Sequence, residues 1–347
     1  TGLAAARHGA SGATRQVRKP HRMSVFILRR LLQSVLVMVA MAVLVFFGVH
    51  LVGDPVYMFI TPDMDQADIE QVTRALGLDR PIWEQFWIFL TNAVTGNLGK
   101  SFVFGEPALG LIIERMPATL ELAFAALLMA VVIGIPLGLY AGLYPDSAAS
   151  KTIMAGSILG FSLPTFWVGI MMIMVFAVML GWLPSTGRGD TVDVLGVPLS
   201  FLTIDGLRHL ALPALNLALL KISLVIRLTR AGTREAMLQD YVKFARAKGL
   251  PRGRIVGVHI LKNILIPVVT VLGLEFGSLI AFSVVTETIF AWPGMGKLLI
   301  SSIQQLDRPV IVAYLVMIVF LFVVINLIVD ILYSILDPRV RLADRGQ

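Results

Sequence analysis

The stretch 240–263, DYVKFARAKGLPRGRIVGVHILKN, is a basic segment that separates two strongly apolar segments, each long enough to cross a bilayer. Positive charge is dense here and just before it, in Arg227, Arg230, Arg234, Lys243, Arg246, Lys248, Arg252, Arg254 and Lys262. Loops rich in Lys and Arg stay on the cytoplasmic side of a membrane. The sequence therefore predicts a loop that faces the cytoplasm and contacts something there.

The composition is that of a protein whose main solvent is lipid. Of the 347 residues, 57% are hydrophobic and only 15% are charged. The net charge of +7 does not predict nucleic-acid binding, because Lys and Arg alternate with long apolar runs instead of forming a basic face. The chain has no Cys, and its five His residues lack metal-ligand spacing. We therefore expect no catalytic residue, metal or cofactor in this chain.

Six apolar stretches have the length of a membrane span, about 20 residues for a core of roughly 30 Å, and predict an all-α polytopic membrane protein. They are residues 25–51, 118–143, 153–180, 210–228, 264–290 and 310–336. Most Lys and Arg outside them lie on the side of the basic loop, so both termini are predicted in the cytoplasm. The predicted units are a disordered extension 1–22, the first span 23–52, an extracytoplasmic insert 53–117, a five-helix core 118–336 with the cytoplasmic loop 231–263, and a cytoplasmic tail 337–347.

The insert is too long for a simple connection and is predicted to contain two helices. Thr61 or Asp63 is expected to cap the first helix, which runs through Ala75 until Gly77 ends it, and Pro81 begins the second. One face of the second helix carries Trp83, Phe86, Trp87 and Leu90. This face either lies at the membrane interface, where Trp is favoured, or packs on the transmembrane bundle.

The basic loop contains a helix signal and a stop signal. Gly232 or Thr233 is predicted to begin a helix that continues until Gly249 ends it in a left-handed conformation, just before Pro251. One face of this helix would carry Tyr241, Phe244, Ala245 and Lys248. An aromatic surface rimmed by charge can dock into a groove of a partner; the alternative is a basic loop that touches anionic lipid headgroups.

Three further patterns are not specific to a function. Small residues at four-residue spacing let helices approach closely, as in Gly134, Gly138 and Gly142, in Gly156 and Gly160, and in Gly273 and Gly277. Pro164 predicts a kink in the third span. Gly99, Lys100 and Ser101 look like the end of a phosphate-binding loop, but Val94 occupies the position of the required earlier glycine, so we expect no ATP hydrolysis by this chain.

The basic loop and seven further motifs resemble the permease subunits of dipeptide and oligopeptide ABC importers. DYVKFARAKGL followed by VHILKNILIP is similar to the cytoplasmic coupling loop of that family. The other motifs are GLDRP at 77–81, GNLGKS at 96–101, RMPATLEL at 115–122, GWLPSTG at 181–187, LRHLALPAL at 207–215, VVTETIFAWPGMGKLL at 284–299 and NLIVDILYSILDPRVR at 326–341. Together they cover nearly all of residues 23–341. The chain departs from the general Glu-Ala-Ala loop pattern, having Lys243, Phe244 and Ala245 before Gly249.

The resemblance implies a type I ABC importer permease fold with six transmembrane helices in a bacterial inner membrane, and no enzymatic activity. The implied partners are a second homologous permease subunit, two cytoplasmic ATPase subunits that bind ATP and Mg, and an extracytoplasmic substrate-binding protein. Peptides would enter the cytoplasm by alternating access as the ATPases push the loop. The residues implied for ATPase coupling are Tyr241, Phe244, Ala245, Arg246, Ala247, Lys248 and Gly249.

Ionisable residues inside spans are costly, roughly 2.5 to 3.5 kcal/mol at the bilayer centre, and are therefore candidates for a substrate path. Glu275, near the middle of the fifth span, and Glu287, toward its outer end, are predicted to line that path and attract the free amine of a peptide, unless each bonds a neighbouring helix. Lys221 is expected to extend its long side chain to the cytoplasmic interface. Glu121 is expected to be an interface or capping group.

An alternative function is that of an autonomous ion-coupled secondary transporter, in which the same carboxylates would bind coupling ions without any ATPase. Copurification with ATPases would separate the two hypotheses. An intramembrane hydrolase is not supported, because His259 belongs to the basic loop and His209 borders a loop on the opposite side.

Overall fold

A computed structural model describes residues 21–51, 56, 60, 64–75 and 77–336 of the chain. The described helices are α1 (His21–Leu51), α2 (Gln66–Ala75), α3 (Ile82–Val94), α4 (Ala108–Leu143), α5 (Ala148–Ser162), α6 (Thr165–Met172), α7 (Ile204–Leu238), α8 (Asp240–Ala247), α9 (Arg252–Arg254), α10 (Leu261–Ile289), α11 (Met295–Gln304) and α12 (Arg308–Leu336). π-Helical turns extend α6 at Ile173–Met179 and join α9 to α10 at Ile255–Ile260. Residues 1–20 of the predicted extension and the predicted tail lie outside the described residues, whereas residues 21 and 22 are already helical.

The long helix α7 connects two different ends of the bundle. It begins after an antiparallel hairpin of β1 (Val192–Val194) and β2 (Val197–Leu199), and it ends next to α8. Its 35 residues correspond to about 50 Å. We call the two ends the hairpin end and the α8 end.

Four helical segments are long and apolar enough to cross a membrane: Ala108–Leu143, Ile204–Leu238, Arg252–Ile289 and Arg308–Val329. The bent pair of α5 and α6 with its π-helical turns makes a fifth if it is one span. The apolar part of α1 within the described residues, Leu32–Gly48, is shorter. The all-α membrane architecture is thus confirmed, whereas the number of six spans stays a prediction.

The third predicted span, 153–180, is not one helix. Its two halves meet at 108° after Ser162. Pro164 explains the break, because it has no N–H to donate to the preceding turn, and its conformation is extended (φ −60°, ψ 128°). Leu163 is extended as well, as expected before a proline. The predicted kink is therefore a complete break.

The centre of the bundle is the contact between α4 and α7, where three glycines of α4 remove the side chains that would keep the helices apart. A Cβ on Gly138 would lie 2.7 Å from the carbonyl oxygen of Ile226, and one on Gly142 would lie 2.5 Å from Cβ of Thr233. Gly134 meets Val225 in the same way. The predicted close approach is confirmed here.

The other predicted glycine contacts are mixed. Gly273 and Gly277 of α10 pack against Val329 and Phe322 of α12, with hypothetical Cβ distances of 2.9 and 2.6 Å. Gly156 of α5 is different, because no heavy atom of the described chain lies within 4 Å of a Cβ placed on it. The prediction is wrong for Gly156 within this chain.

Both predicted helices of the insert are present. The carboxylate of Asp65 accepts the N–H of Asp68 (2.9 Å) at the start of α2. The predicted caps Thr61 and Asp63 lie outside the described residues. Gly77 follows α2 with a φ of +69°, as predicted, and α3 begins directly after Pro81.

The aromatic face of α3 is divided between two environments. Phe86 packs against Phe46 of α1, with ring centroids 5.3 Å apart. Trp83 and Trp87 are 68% and 62% exposed. The two predicted roles of this face therefore belong to different residues: Phe86 contacts the bundle, and the two Trp side chains are free to meet a membrane interface.

Candidate functional site

A single residue separates α8 from α7. Gln239 is extended (φ −71°, ψ 148°), and its carbonyl oxygen accepts the N–H of Val242 (3.1 Å). The predicted helix start at Gly232 or Thr233 is wrong, because both residues belong to α7, where Thr233 packs against Gly142 of α4. The loop helix is therefore a separate element of eight residues.

Gly249 ends α8 in the way the sequence predicts. Its φ is +75°, in the left-handed region that favours glycine. The N–H of Gly249 bonds the carbonyl of Arg246 (2.9 Å), and the N–H of Leu250 bonds the carbonyl of Ala245 (3.2 Å). These two bonds define a Schellman motif. A Cβ on Gly249 would meet no atom of the described residues within 4 Å, so within them the requirement for glycine comes from the backbone conformation.

One face of α8 is buried and the other is exposed. Val242 and Ala245 are 0% and 4% exposed, and α8 packs on α7 and on the π-helical turns before α10. The prediction that Ala245 shares the exposed face is therefore wrong, since it anchors α8 to the bundle. The other residues predicted for coupling are exposed: Tyr241, Phe244, Arg246, Ala247, Lys248 and Gly249. Their docking stays a prediction.

The exposed face of α8 is aromatic and basic. Lys248 Nζ lies 4.6 Å from the ring centroid of Phe244, a cation–π arrangement. Lys243 donates to the carboxylate of Asp240 (2.9 Å), and this hydrogen bond, together with the charge of Lys243, lowers the pKa of the Asp240 carboxyl. The α8 end thus presents aromatic area and positive charge that the described chain leaves uncovered.

Lys221 and Glu275 form an ion pair between α7 and α10. Lys221 Nζ donates to Oε2 of Glu275 and to the hydroxyl of Ser278 (2.8 Å), and this hydroxyl lies 2.9 Å from the same carboxylate oxygen. The expectation that Lys221 reaches the cytoplasmic interface is wrong, because its ammonium group is held by the neighbouring helix. Glu275 keeps 33% of its side chain exposed, so its predicted place on a substrate path stays a prediction.

Glu287 is completely buried, with 0% exposure. Its Oε1 accepts the hydroxyls of Thr119 (2.7 Å) and Ser283 (2.9 Å), and its Oε2 accepts the N–H of Lys297 (3.0 Å). The prediction that Glu287 lines a path is therefore wrong for this structure. The carboxylate instead joins α4, α10 and α11, which is the alternative role of bonding a neighbouring helix.

Glu121 of α4 forms a second buried cluster at the hairpin end. Its Oε2 accepts Arg188 (2.6 Å), and its Oε1 accepts the N–H of Ser200 (2.8 Å) and the N–H of Phe201 (2.8 Å). Arg188 also donates to the carbonyl of Pro198 in β2 (2.6 Å). Glu121 therefore holds the hairpin and the turn before α7 onto α4, a role that the expected interface or capping function does not describe, since α7 is capped by Thr203.

The residues that look like a phosphate-binding loop attach the insert to α12. The hydroxyl of Ser101 donates to the carboxylate of Asp307, just before α12, and the other oxygen of that carboxylate accepts the N–H of Phe102 (3.1 Å). Asp307 is 0% exposed. A polar loop that bonds within the chain in this way has a structural role.

The described residues form a membrane-type helical bundle with a short basic helix exposed at one end and buried polar clusters at the other. Sequence comparison identifies its family. The chain belongs to the family described as binding-protein-dependent transport system inner membrane component, which matches residues 134–342, and the N-terminal component of that family matches residues 23–123. The matched regions contain α8 and the described spans except residues 124–133 of α4.

Curated relatives span almost the whole chain. The di/tripeptide transport system permease protein DppB of Pseudomonas aeruginosa is 39% identical over 330 residues, covering 91% of this chain and 98% of the relative. The glutathione transport system permease protein GsiC of Escherichia coli is 37% identical over 317 residues, with the same coverage. A probable D,D-dipeptide transport system permease protein, DdpB of Escherichia coli, is 40% identical over 320 residues, covering 88% and 94%.

A solved structure supports the fold. A chain of the inward-facing methionine ABC transporter MetNI superposes with a TM-score of 0.51 at 19% identity, covering 67% of this chain and 99% of that chain. The predicted fold class, an ABC importer permease fold, is thus confirmed.

Sequence reasoning missed Lys221 as the partner of Glu275, although a signal was present. Opposite charges near the middle of two apolar helices are expected to pair, because neither can remain alone in lipid. The partners of Glu121 and Asp307 had no such signal. Arg188 is 67 residues from Glu121, and Ser101 is 206 residues from Asp307, so only the fold brings them together.

Proposed function

We propose that this chain is one of two membrane subunits of an importer driven by ATP hydrolysis on separate subunits. The single observation that carries this proposal is α8, a short helix anchored by Val242 and Ala245 whose aromatic and basic face is uncovered in a chain that belongs to the permease family. The partners are a second homologous permease, two ATPase subunits that bind ATP and Mg, and a substrate-binding protein on the opposite side.

The packing of α8 supports a mechanical role. Since α8 sits directly on the end of α7, a displacement of α8 acts on a helix of about 50 Å that reaches the hairpin end. The glycine contacts of Gly138 and Gly142 make α4 and α7 move as one unit, because closely packed backbones resist sliding. ATPase closure at α8 would thereby change access at the far end.

The orientation follows from the charges. The exposed basic residues around α8 support a cytoplasmic location for this end, because Lys- and Arg-rich loops stay on that side of a membrane. In the proposed orientation both termini are also cytoplasmic, and the hairpin and the insert are extracytoplasmic. The binding protein would deliver its cargo at the hairpin end.

The cargo class is peptides. The relatives are named for the transport of di- and tripeptides, D,D-dipeptides and glutathione, which are all small peptides. These compounds share a free amine and a free carboxylate rather than a common side chain, so recognition of the peptide ends would serve all of them.

Reconstitution tests the proposal. The chain is coexpressed with its neighbouring permease, ATPase and binding-protein subunits, and uptake of labelled dialanine and glutathione into vesicles is measured. We expect uptake that requires ATP and the binding protein. Uptake driven by a proton or sodium gradient without ATP would contradict the proposal and establish the ion-coupled transporter.

A further inference from the structure

Lys221 and Glu275 lie at the midpoints of their helices. Lys221 is the central residue of α7 (Ile204–Leu238), about 25 Å from either end, and Glu275 is the central residue of α10 (Leu261–Ile289). Two opposite charges thus meet halfway through the bundle, where ionised groups are avoided unless they are paired or face water. The ion pair explains why two charged residues are tolerated at this depth. It does not explain why both side chains are partly exposed.

The pair is open to the surface of the chain. Side-chain exposure is 15% for Lys221 and 33% for Glu275, whereas Glu121, which also pairs with a cation, is 2% exposed. The two pairs differ in the exposure of the carboxylate, since Arg188 is 11% exposed and thus similar to Lys221. The Lys221–Glu275 pair instead presents a cation, an anion and the hydroxyl of Ser278 together to whatever lies outside.

The broken helix lies at the same depth in the bundle as the ion pair. Gly160 before the break packs against Ser223, and Gly169 after it packs against Asn216, so the break lies at the level of residues 216–223 of α7, the level of Lys221. Phe161 and Leu163 at the break are 58% and 38% exposed in this chain. Irregular backbone at membrane depth is tolerated only against protein or a water-filled cavity.

The break and the ion pair also share neighbours. α6 packs on both α7 and α10, the two helices that hold the pair. The same level of the bundle therefore contains an interrupted span and an exposed pair of opposite charges, a combination suited to a polar path and unfavourable against hydrocarbon.

We propose that Lys221, Glu275 and Ser278 form a binding site on the translocation path for the two charged ends of a zwitterionic substrate. The substrate carboxylate binds the Lys221 ammonium, and the substrate ammonium binds the Glu275 carboxylate. One internal ion pair is exchanged for two with the substrate, so no net charge is added at this depth. This inference rests on the proposed import of peptides and assigns the chemistry of their recognition inside the membrane.

The absence of Cys in this chain allows a direct accessibility test. Ser278→Cys and the adjacent Leu279→Cys are each introduced into the complete assembly in vesicles, and labelling of this chain by charged methanethiosulfonates is measured. Leu279 is 1% exposed and serves as the control. We expect Ser278→Cys to react at least about tenfold faster than Leu279→Cys, because charged reagents enter from water only. Equal, slow labelling would overturn the proposal.

Charge preference and protection test the binding chemistry. In Ser278→Cys, adding Lys221→Met should favour the cationic over the anionic reagent about tenfold, and adding Glu275→Gln should reverse the preference. Millimolar dialanine should slow the labelling, whereas N-acetyl-dialanine amide, which lacks both charges, should not. Equal protection by the two compounds would contradict recognition of the charged ends.

Uptake separates this inference from the function on which it rests. The double variant Lys221→Met with Glu275→Gln removes both charges together, so neither is left unpaired and assembly is retained. We expect ATP hydrolysis to persist and dialanine uptake to fall at least about tenfold. Wild-type uptake by the double variant would overturn the inference alone, whereas a wild-type assembly that imports nothing with ATP would contradict the proposed function.

Discussion

The hairpin end and the α8 end use their charged residues in opposite ways. At the hairpin end, Glu121, Glu287 and Asp307 are buried, and both oxygens of each carboxylate accept hydrogen bonds from within the chain. At the α8 end, Phe244 and Lys248 are exposed and form a cation–π contact with each other. Buried polar groups whose hydrogen bonds are made within the chain hold the local structure in one conformation. Exposed groups without such bonds remain available to a partner. The difference indicates a rigid hairpin end and an α8 end that keeps an uncovered surface, the surface proposed to dock on the ATPases.

The ion pair of Lys221 and Glu275 lies between these extremes. It is satisfied internally, like the clusters of the hairpin end, yet it is partly exposed, like the surface of α8. In the proposed binding site, this pair exchanges its internal partners for the charged ends of the substrate.

The largest effect is expected from Glu287→Leu at the hairpin end. The substitution leaves the hydroxyl of Thr119 and the N–H of Lys297 without their acceptor in a buried site, at about 1–3 kcal/mol for each group, whereas the hydroxyl of Ser283 keeps the carbonyl of Ile280 as acceptor. We expect a loss of about 3 kcal/mol or more, seen as a lower melting temperature in detergent. Glu114→Leu, at a side chain that is 66% exposed, is the control. Equal melting of the two variants would contradict the rigid hairpin end.

A smaller loss is expected at the α4–α7 contact that joins the two ends. Gly138→Leu places a side chain against the backbone of Ile226, and such overpacking typically costs about 1–3 kcal/mol. Gly156→Leu is the matched control, because no atom of the described chain lies within 4 Å of its Cβ. If Gly138→Leu and Gly156→Leu have the same melting temperature and the same rate of uptake, α4 and α7 are not a tightly coupled unit.

At the α8 end the expected effect is functional rather than structural. Gly249→Val forces a β-branched residue to a φ of +75°, at about 1–3 kcal/mol of strain, and so tilts or unravels the end of α8. We expect normal membrane insertion and ATP hydrolysis with uptake reduced about tenfold. Gly249→Asn should retain uptake, because Asn tolerates this conformation.

Gly253→Val is the control for that experiment. Gly253 lies in the same loop, has no positive φ, and has no atom within 4 Å of a hypothetical Cβ. Unchanged uptake by Gly249→Val, or an equal loss from Gly253→Val, would show that the geometry of the α8 end does not couple hydrolysis to transport.

The smallest effect is expected at Asp240. Its pKa is lowered by Lys243, so the pair contributes above the ordinary pKa of the carboxyl and is lost as the pH falls through the lowered value. Because Asp240 is fully exposed, solvent and salt screen the pair. Asp240→Asn should have the same melting temperature as the wild type from neutral pH to about pH 5. A clear decrease would show that α8 depends on surface charge.

Local signals were sufficient for much of the fold. Apolar length predicted the four spans that single helices form, Pro164 marked the interruption, and Gly249 and Gly77 ended their helices. The four-residue glycine spacing marked the face of α4 that meets α7. Each of these signals acts through the backbone conformation of one residue or through residues a few positions away in the chain. The helix start at Thr233 failed, because α7 continues through this residue and Gln239 interrupts it instead.

The sequence by itself determined that this protein lies in a membrane, that its basic loop is exposed and that one glycine shapes the loop. Only the tertiary structure decided which carboxylate is buried and which is partly exposed. Glu275 and Glu287 are similar on one apolar helix, but Thr119 and Lys297 enclose Glu287 while Lys221 meets Glu275 at an open surface. Charge and hydrophobicity are properties of residues, whereas burial depends on neighbours that the chain brings from far away.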